Sequence, residues 1–137
     1  MSVAALVDTG PLVAILDSSD RKHTVCVEAL STLRVPLIST WPVLTEAAYL
    51  LRNRIDLVQR LIRSTTEGFI RIEALDDSDA LAMINILDQN SDQRFQLDDL
   101  SLMHLADRDG IGTIFSLDHR DFSIFRTKNG NGLSITP

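Results

Sequence analysis

Short apolar runs alternate along the chain with longer segments in which apolar residues recur at helical spacing. Runs of the first kind, bounded by turn residues, are typical of buried strands, whereas recurrence every three or four residues is typical of helices that bury one face. The apolar runs predict strands at 4–7, 36–38, 69–74, 112–116 and 133–135. The helical segments predict helices at 24–33, 56–63 and 97–109, and a further helix that has Pro11 in its first turn. Ser39 or Thr40 can cap another helix, whose apolar positions run from 43 to 51. Asp76 or Asp77 can cap a last one, which continues to Leu87.

Strands separated by helices favour an α/β fold. Parallel strands need long crossover connections, and helices usually form them. We therefore expect a central parallel sheet of four to five strands with helices on both faces. In such folds ligands bind beyond the carboxyl ends of the strands.

The composition indicates one compact domain. Of 137 residues, 45% are hydrophobic, which is enough to bury most of the surface that an unfolded chain of this length exposes. No repeat or linker-like segment divides the sequence, so we expect one domain at 1–137. The N-terminus lacks the pattern of a secretory signal, and no apolar stretch has the length to cross a bilayer. We therefore expect a cytoplasmic protein without a membrane partner.

The formal net charge of −6 argues against a protein that binds nucleic acid mainly through a basic surface. Carboxylates that gather around a divalent cation raise the negative count, however, and the bound ion reverses the local field. The acidic composition is thus compatible with phosphodiester chemistry, although it does not point to it.

Two acidic residues directly follow predicted strands. Asp8 comes after the apolar run at 4–7, and Asp118 follows the strand at 112–116, with Ser116 as a hydrogen-bonding neighbour. Both carboxylates should emerge at the carboxyl edge of the sheet. Taken alone, Asp8 fits an Asx turn or a helix cap equally well. Asp121 precedes apolar residues, and its position favours the cap of a short helix.

Two further carboxylate positions lie on predicted helices. Glu46 has largely apolar neighbours on its own face, so we expect it to point toward the core, where it needs an arginine partner, Arg52 or Arg54, or a shared metal ion. Asp98 and Asp99 open the last long helix. The residues three and four positions after Asp99 are more apolar than those three and four positions after Asp98, so Asp99 lies on the more apolar face of the helix. We therefore expect Asp99 to face inward and Asp98 to cap the helix from outside.

Together these residues form a set of hard oxygen ligands. Mg²⁺ and Mn²⁺ prefer such ligands, and the set contains neither Cys nor His. An ion held there can orient a phosphodiester, stabilise transition-state charge and lower the pKa of a bound water. Asp8, Glu46, Asp99 and Asp118 therefore predict metal-dependent hydrolysis of a phosphodiester bond.

The segments that carry these residues resemble the motifs of the PIN-domain family, in particular its VapC-type toxins. The similar segments are 7–17, 45–51, 99–110 and 116–122, and the similarity spans nearly the whole chain. The resemblance implies an endoribonuclease that depends on Mg²⁺ or Mn²⁺. In bacterial toxin–antitoxin pairs such a domain is the toxin, usually a homodimer that a small antitoxin silences.

The resemblance also implies a role for each matching residue. Asp8 and Asp99 would be the main metal ligands. Glu46 and Asp118 would complete the acidic pocket, and Thr9 and Ser116 would support it.

Two other function classes fit parts of the sequence. The motif at 8–10 also resembles the active-site loop of aspartic proteases, but such an enzyme is nearly all β, and helical patterns dominate here. A PIN-like module that binds RNA or protein without cutting would suit the low basic content, even though arginines between 52 and 63 offer a phosphate-binding surface. All four acidic positions are filled, which favours the nuclease.

The aromatic and histidine side chains point to structural roles. We expect Trp41, which precedes Pro42, to pack in the protein rather than stack on a base. His104 lies in an apolar helical segment, and we expect it to be structural as well.

Overall fold

A parallel β-sheet forms the centre of the structure, a computed structural model that describes residues 2–137. Within these residues the sheet has five strands in the order β3-β2-β1-β4-β5, and all neighbouring strands run parallel. The strands are β1 Leu6–Val7, β2 Leu37–Ser39, β3 Ile70–Ile72, β4 Thr113–Phe115 and β5 Ser134–Thr136.

Helices connect the strands, and seven lie within the described part of the chain. They are α1 Thr9–Leu16, α2 His23–Leu30, α3 Trp41–Leu50, α4 Ile55–Arg63, α5 Asp77–Gln89, α6 Leu97–Asp109 and α7 His119–Ile124. Helix α1 contacts α2, α3 and α4, whereas α6 contacts α3, α5 and α7. The expected α/β class with a central parallel sheet is confirmed.

Capping residues in the sequence predicted the ends of several helices correctly. Helix α6 has the predicted bounds and ends at Gly110, whose φ of 68° is the left-handed conformation that a glycine adopts without strain. Helix α5 begins after Asp76, whose carboxylate accepts hydrogen bonds from the backbone N–H groups of Ser78 and Asp79. The strand expected at 69–74 is shorter, because only Ile70–Ile72 pairs with β2.

The chain reverses its direction of winding at β1. From β1 it proceeds to β2 and β3 on one side, and β4 and β5 lie on the other side. The carboxyl ends of β1 and β4 therefore meet at a topological switch point, where α/β folds bind ligands. The backbone N–H of Asp8 donates to the carbonyl of Phe115 at 2.9 Å and continues the ladder to this edge.

Apolar burial anchors the elements around that edge. Leu6 and Val7 of β1 and Phe115 of β4 are fully buried, as is Phe122 of α7. Each buried side chain of this size stabilises the fold by about 1.5–3 kcal/mol relative to an exposed one. The ends of β1 and β4 and the start of α7 are thus fixed by the core.

None of the helices in residues 2–137 has the length and apolar composition that crossing a membrane requires.

A buried polar network joins α5 to α6. Asp79 Oδ1 lies 2.6 Å from His104 Nε2 and accepts a hydrogen bond of 3.1 Å from Arg108, while Oδ2 accepts one of 2.8 Å from the backbone N–H of Asp76. The contact with His104, followed by the other hydrogen bonds, holds the pKa of Asp79 well below its usual range. His104 is buried, in agreement with the structural role expected for it.

Replacing Asp79 by Ala should lower the free energy of unfolding by about 3 kcal/mol, because His104 and Arg108 lose their partner. The pKa of Asp79 is depressed in the folded state, so its contribution is present above the unfolded pKa of about 4 and is lost as the pH falls below that value. Urea unfolding at neutral and acidic pH measures both effects. Asp77→Asn, at an exposed neighbouring position, is the matched control. Equal stability of Asp79→Ala and the control would contradict this prediction.

Candidate metal centre

Asp8 places a buried carboxylate at the carboxyl end of β1. The residue is 5% exposed, and its Oδ2 accepts a hydrogen bond of 2.9 Å from Ser116 Oγ. Its Oδ1 is buried and has no hydrogen-bond partner among residues 2–137. An unpaired buried carboxylate oxygen costs free energy unless a proton or a cation satisfies it. Asp8 therefore has one oxygen that is suited to a cation.

The first turn of α6 brings two carboxylates to Asp8. Asp99 is buried, 8% exposed, and Asp98 is half-buried. One carboxylate oxygen from each of Asp8, Asp98 and Asp99 lies within 4.8 Å of the other two. Leu100 and Leu102, which follow in the same helix, are buried and hold this turn against the core.

Helix α7 and its N-cap residue add two more carboxylates close to Asp99. Asp118 is the N-cap residue of α7 and accepts a hydrogen bond of 3.2 Å from the backbone N–H of Arg120, and Asp121 lies in the first turn. One oxygen from each of Asp99, Asp118 and Asp121 lies within 4.8 Å of the other two. Asp99 thus belongs to both groups.

These two groups together form the acidic cluster, which consists of Asp8, Asp98, Asp99, Asp118 and Asp121. Arg120 pairs with Asp121 at 2.9 Å, but its side chain is largely exposed, so it screens the cluster weakly. The cluster therefore has more negative charge than its protein neighbours offset.

Burial and mutual repulsion raise the pKa values in the acidic cluster. Desolvation, followed by the charges of Asp8, Asp98 and Asp118, raises the pKa of Asp99 to about 8. Burial also raises the pKa of Asp8, although the hydrogen bond from Ser116 opposes this shift. Without a cation, the cluster therefore retains protons at neutral pH.

The acidic cluster suits a hard divalent cation. It offers carboxylate oxygens, one of which has no hydrogen-bond partner within residues 2–137, and it contains neither thiolate nor imidazole. Mg²⁺ and Mn²⁺ take such ligands. A cation would also replace the proton that Asp99, whose pKa is raised to about 8, holds at neutral pH.

Ser116 links the ends of β1 and β4. It is fully buried, and besides donating to Asp8 its Oγ accepts a hydrogen bond of 3.0 Å from the backbone N–H of Asp118. Thr9 behaves differently from Ser116. Its hydroxyl donates to the carbonyl of Val43 at 3.4 Å, so it contacts α3.

The expectation that Glu46 faces inward is wrong. Glu46 is exposed and, within residues 2–137, belongs to neither group of the acidic cluster. The buried face of α3 consists of Val43, Leu44 and Ala47, and Glu46 lies on its flank, where it lines a groove together with Asp98. Apolar residues on this flank, such as Leu50, are exposed as well and made the face look buried.

The arginines considered as partners of Glu46 make other contacts. Arg54 forms an ion pair of 3.0 Å with Asp56. Arg52 lies over the ring of Tyr49 at 4.2 Å from its centroid. Neither arginine is thus available to Glu46 in this arrangement.

Two aspartates, Asp98 and Asp121, differ from their expected positions. Asp99 is buried as its apolar face indicated, but Asp98 also contributes to the acidic cluster, and Gln96 is the N-cap residue of α6. The cap of α7 is Asp118, and Asp121, expected as that cap, joins the cluster instead. The three-residue spacing of Asp118 and Asp121 is the signal in the sequence, since it places both on one side of a helical turn.

Comparisons with known proteins agree with this geometry. The sequence model of the PIN domain matches residues 5–127. The ribonuclease VapC26 of Mycobacterium tuberculosis is 26% identical over 134 residues, which cover 96% of this chain and 99% of that protein. The crystal structure of VapC20 of the same organism, described as a Sarcin-Ricin loop cleaving toxin, superposes with a TM-score of 0.81 at 16% identity and covers 98% of this chain and 100% of VapC20.

The raised pKa of Asp99 predicts that the metal-free protein loses stability as the pH rises. The folded state binds the proton more tightly than the unfolded state does, so this contribution is fully present below about pH 4 and is lost as the pH passes through about 8. Asp99→Asn carries no charge, so in EDTA it should be more stable than the unsubstituted protein at about pH 9, with a smaller difference at about pH 5.

Thermal unfolding at both pH values measures this difference. Glu46→Gln is the control, since Glu46 is exposed and lies outside the acidic cluster. Addition of Mg²⁺ or Mn²⁺ should raise the melting temperature of the unsubstituted protein more than that of Asp99→Asn. An Asp99→Asn protein whose relative stability is independent of pH would contradict the prediction.

Proposed function

The chain belongs to the PIN-domain family, and from this we propose that it is an endoribonuclease that hydrolyses RNA phosphodiester bonds with Mg²⁺ or Mn²⁺ and acts as the toxin of a VapC-type toxin–antitoxin pair. One observation carries the proposal. Buried Asp8 and Asp99 approach each other at the switch point of the sheet, and one oxygen of Asp8 has no hydrogen-bond partner among the described residues. Such an arrangement is costly for a protein that does not bind a cation.

In this proposal Asp8 and Asp99 are the main metal ligands. Asp118 completes the acidic pocket, as the family resemblance implied, and Asp98 and Asp121 lie close enough to contribute. When bound, the ion would orient the phosphodiester, stabilise transition-state charge and favour ionisation of water. Glu46 lines the groove next to Asp98, so in this proposal it would lie at the outer edge of the site rather than in its buried part.

Residues of the chain itself would prepare the site for this chemistry. Ser116 fixes one oxygen of Asp8 with its hydroxyl and leaves the other oxygen to the cation. The same hydroxyl accepts a hydrogen bond from the backbone of Asp118 and so sets the distance between the two acidic residues. The core behind Asp99 keeps water from that side of its carboxylate, which strengthens its attraction for a cation.

A protein partner is consistent with the exposed apolar surface. Several large apolar side chains on α4 and α5 are exposed, among them Ile55, Ile62, Leu81 and Ile84. Apolar surface of this kind is typical of sites that another protein covers. We propose a small antitoxin as one such partner and a homodimer as the resting assembly, and we propose that the protein acts in the cytoplasm.

The first test is cleavage of single-stranded RNA by the purified protein. We expect cleavage with Mg²⁺ or Mn²⁺, none in EDTA, and recovery when the metal is restored. Loss of a residue that hydrogen-bonds to a metal ligand reduces activity roughly 10- to 100-fold. Asp8→Asn changes a proposed metal ligand itself, so it should reduce kcat by more than that. Exposed Glu28→Gln is the control for surface charge, and circular dichroism checks the fold of both variants. Cleavage that is unchanged in EDTA would contradict the proposal, and binding of RNA without cleavage would identify a non-catalytic module.

The second test compares the two adjacent aspartates of α6. Asp99 belongs to both groups of the acidic cluster and is buried, so Asp99→Asn should reduce kcat more than Asp98→Asn does. Single-turnover cleavage at saturating metal measures the difference. Full activity of Asp99→Asn together with loss of activity in Asp98→Asn would show that Asp98 is the principal ligand.

A further inference from the structure

Trp41, the single tryptophan of the chain, lies at the surface. It is 54% exposed, so the expectation that it packs in the protein is wrong. Exposure of a large aromatic ring forfeits the free energy of its burial. Single exposed apolar side chains are common, but one that lies together with other apolar groups beside a candidate active site is a candidate ligand contact.

Trp41 lines a groove that reaches the acidic cluster. The groove has a volume of about 530 Å³ and is lined by Trp41, Pro42, Thr45, Glu46, Gln96, Leu97 and Asp98, and we call it the Trp41 groove. Asp98 belongs both to this groove and to the acidic cluster, so the two are continuous. Leu97 is 59% exposed and provides a second large apolar surface in the groove.

Hydrogen bonds of neighbouring residues, one of them buried, fix the backbone that carries Trp41. The preceding residue, Thr40, is fully buried, and its hydroxyl lies 2.7 Å from Ser101 Oγ, two residues after Asp99. The hydroxyl of Thr45 donates to the carbonyl of Trp41 at 2.9 Å. The backbone of Trp41 is therefore held at a defined place relative to Asp99, which limits where the indole can lie.

The charges in the Trp41 groove select what it can hold. Its lining includes the carboxylates of Glu46 and Asp98 and, among the described residues, neither lysine nor arginine. A phosphate would be repelled there, whereas a neutral, planar base can lie on the indole. The amide of Gln96 and the two carboxylates can form hydrogen bonds with the edge of a base.

We propose that Trp41 stacks on an unpaired base of single-stranded RNA beside the phosphodiester that lies at the acidic cluster. This inference rests on the proposed function and specifies its substrate. Bases of a duplex are stacked on each other and cannot lie on a side chain, whereas unpaired bases stack on aromatic rings regardless of sequence. The exposed indole thus favours an unpaired loop or strand as the substrate.

Because Trp41 is the single tryptophan, its fluorescence reports the contact directly. The full-length Asp8→Asn variant, which should not cleave, is titrated with an oligouridylate on the order of ten nucleotides long, a length within the range that single-strand-binding sites cover. We expect saturable quenching by this oligomer. An abasic oligomer of the same length, which has the backbone but no bases, should leave the fluorescence unchanged.

The second readout is the kinetics of RNA cleavage by variants of Trp41 that retain Asp8. Trp41→Ala should raise KM for the oligouridylate about tenfold, since stacking on an aromatic ring contributes at about this level, while Trp41→Phe should retain most of the affinity. The shift in melting temperature caused by Mg²⁺ should be the same in all three proteins. Leu50→Ala is the matched control, because Leu50 is 51% exposed on the same helix but does not line the Trp41 groove.

The outcomes separate this inference from the proposed function. Cleavage by the unsubstituted protein with an unchanged KM in Trp41→Ala, and no quenching, would overturn the stacking and leave the nuclease intact. Quenching by the oligouridylate without cleavage would overturn the nuclease and support the stacking. A fluorescence shift that follows protein concentration rather than RNA would show that a second copy covers Trp41, and would overturn the inference.

Discussion

Repulsion between the buried carboxylates of Asp8 and Asp99 is the energetic cost at this site that the rest of the fold has to offset. Asp8 and Asp99 are both nearly excluded from water and close enough to share a cation, and each raises the cost of ionising the other. Ser116 satisfies one oxygen of Asp8 but leaves Oδ1 without a partner in the described part of the chain. A bound cation would lower the cost of such an arrangement, and this supports the proposed metal site.

The remaining structure supplies the stability that holds these charges together. The cluster is assembled from three elements, and apolar burial anchors each of them. Val7 precedes Asp8 in a fully buried strand, residues 100–106 form a buried face behind Asp99, and Phe122 fixes α7 below Asp118. Because the anchors lie in one continuous core, a shift of any element would change distances within the acidic cluster. Local cost at the site is thus offset by packing elsewhere.

The acidic composition has a consequence for how RNA can be held. Arg54 pairs with Asp56, Arg63 with Glu67 and Arg120 with Asp121, so each of these arginines offers a phosphate a charge that a neighbouring carboxylate partly offsets. Under the proposed function, a cation at the acidic cluster would add to the attraction of the phosphate backbone. An aromatic contact with a base, which requires no charge, complements that attraction and acts next to it.

The sequence by itself determined the alternation of strands and helices, the bounds of α6 and the strand-end positions of Asp8 and Asp118, because hydrophobic periodicity and capping residues act over a few neighbouring positions. The tertiary structure decided which side of each helix meets the sheet. It placed Glu46 and Trp41 outside and brought Asp98 and Asp121 into the acidic cluster. These outcomes depend on strand order and on helix packing, which join residues far apart in the chain, and periodicity within one helix does not encode them.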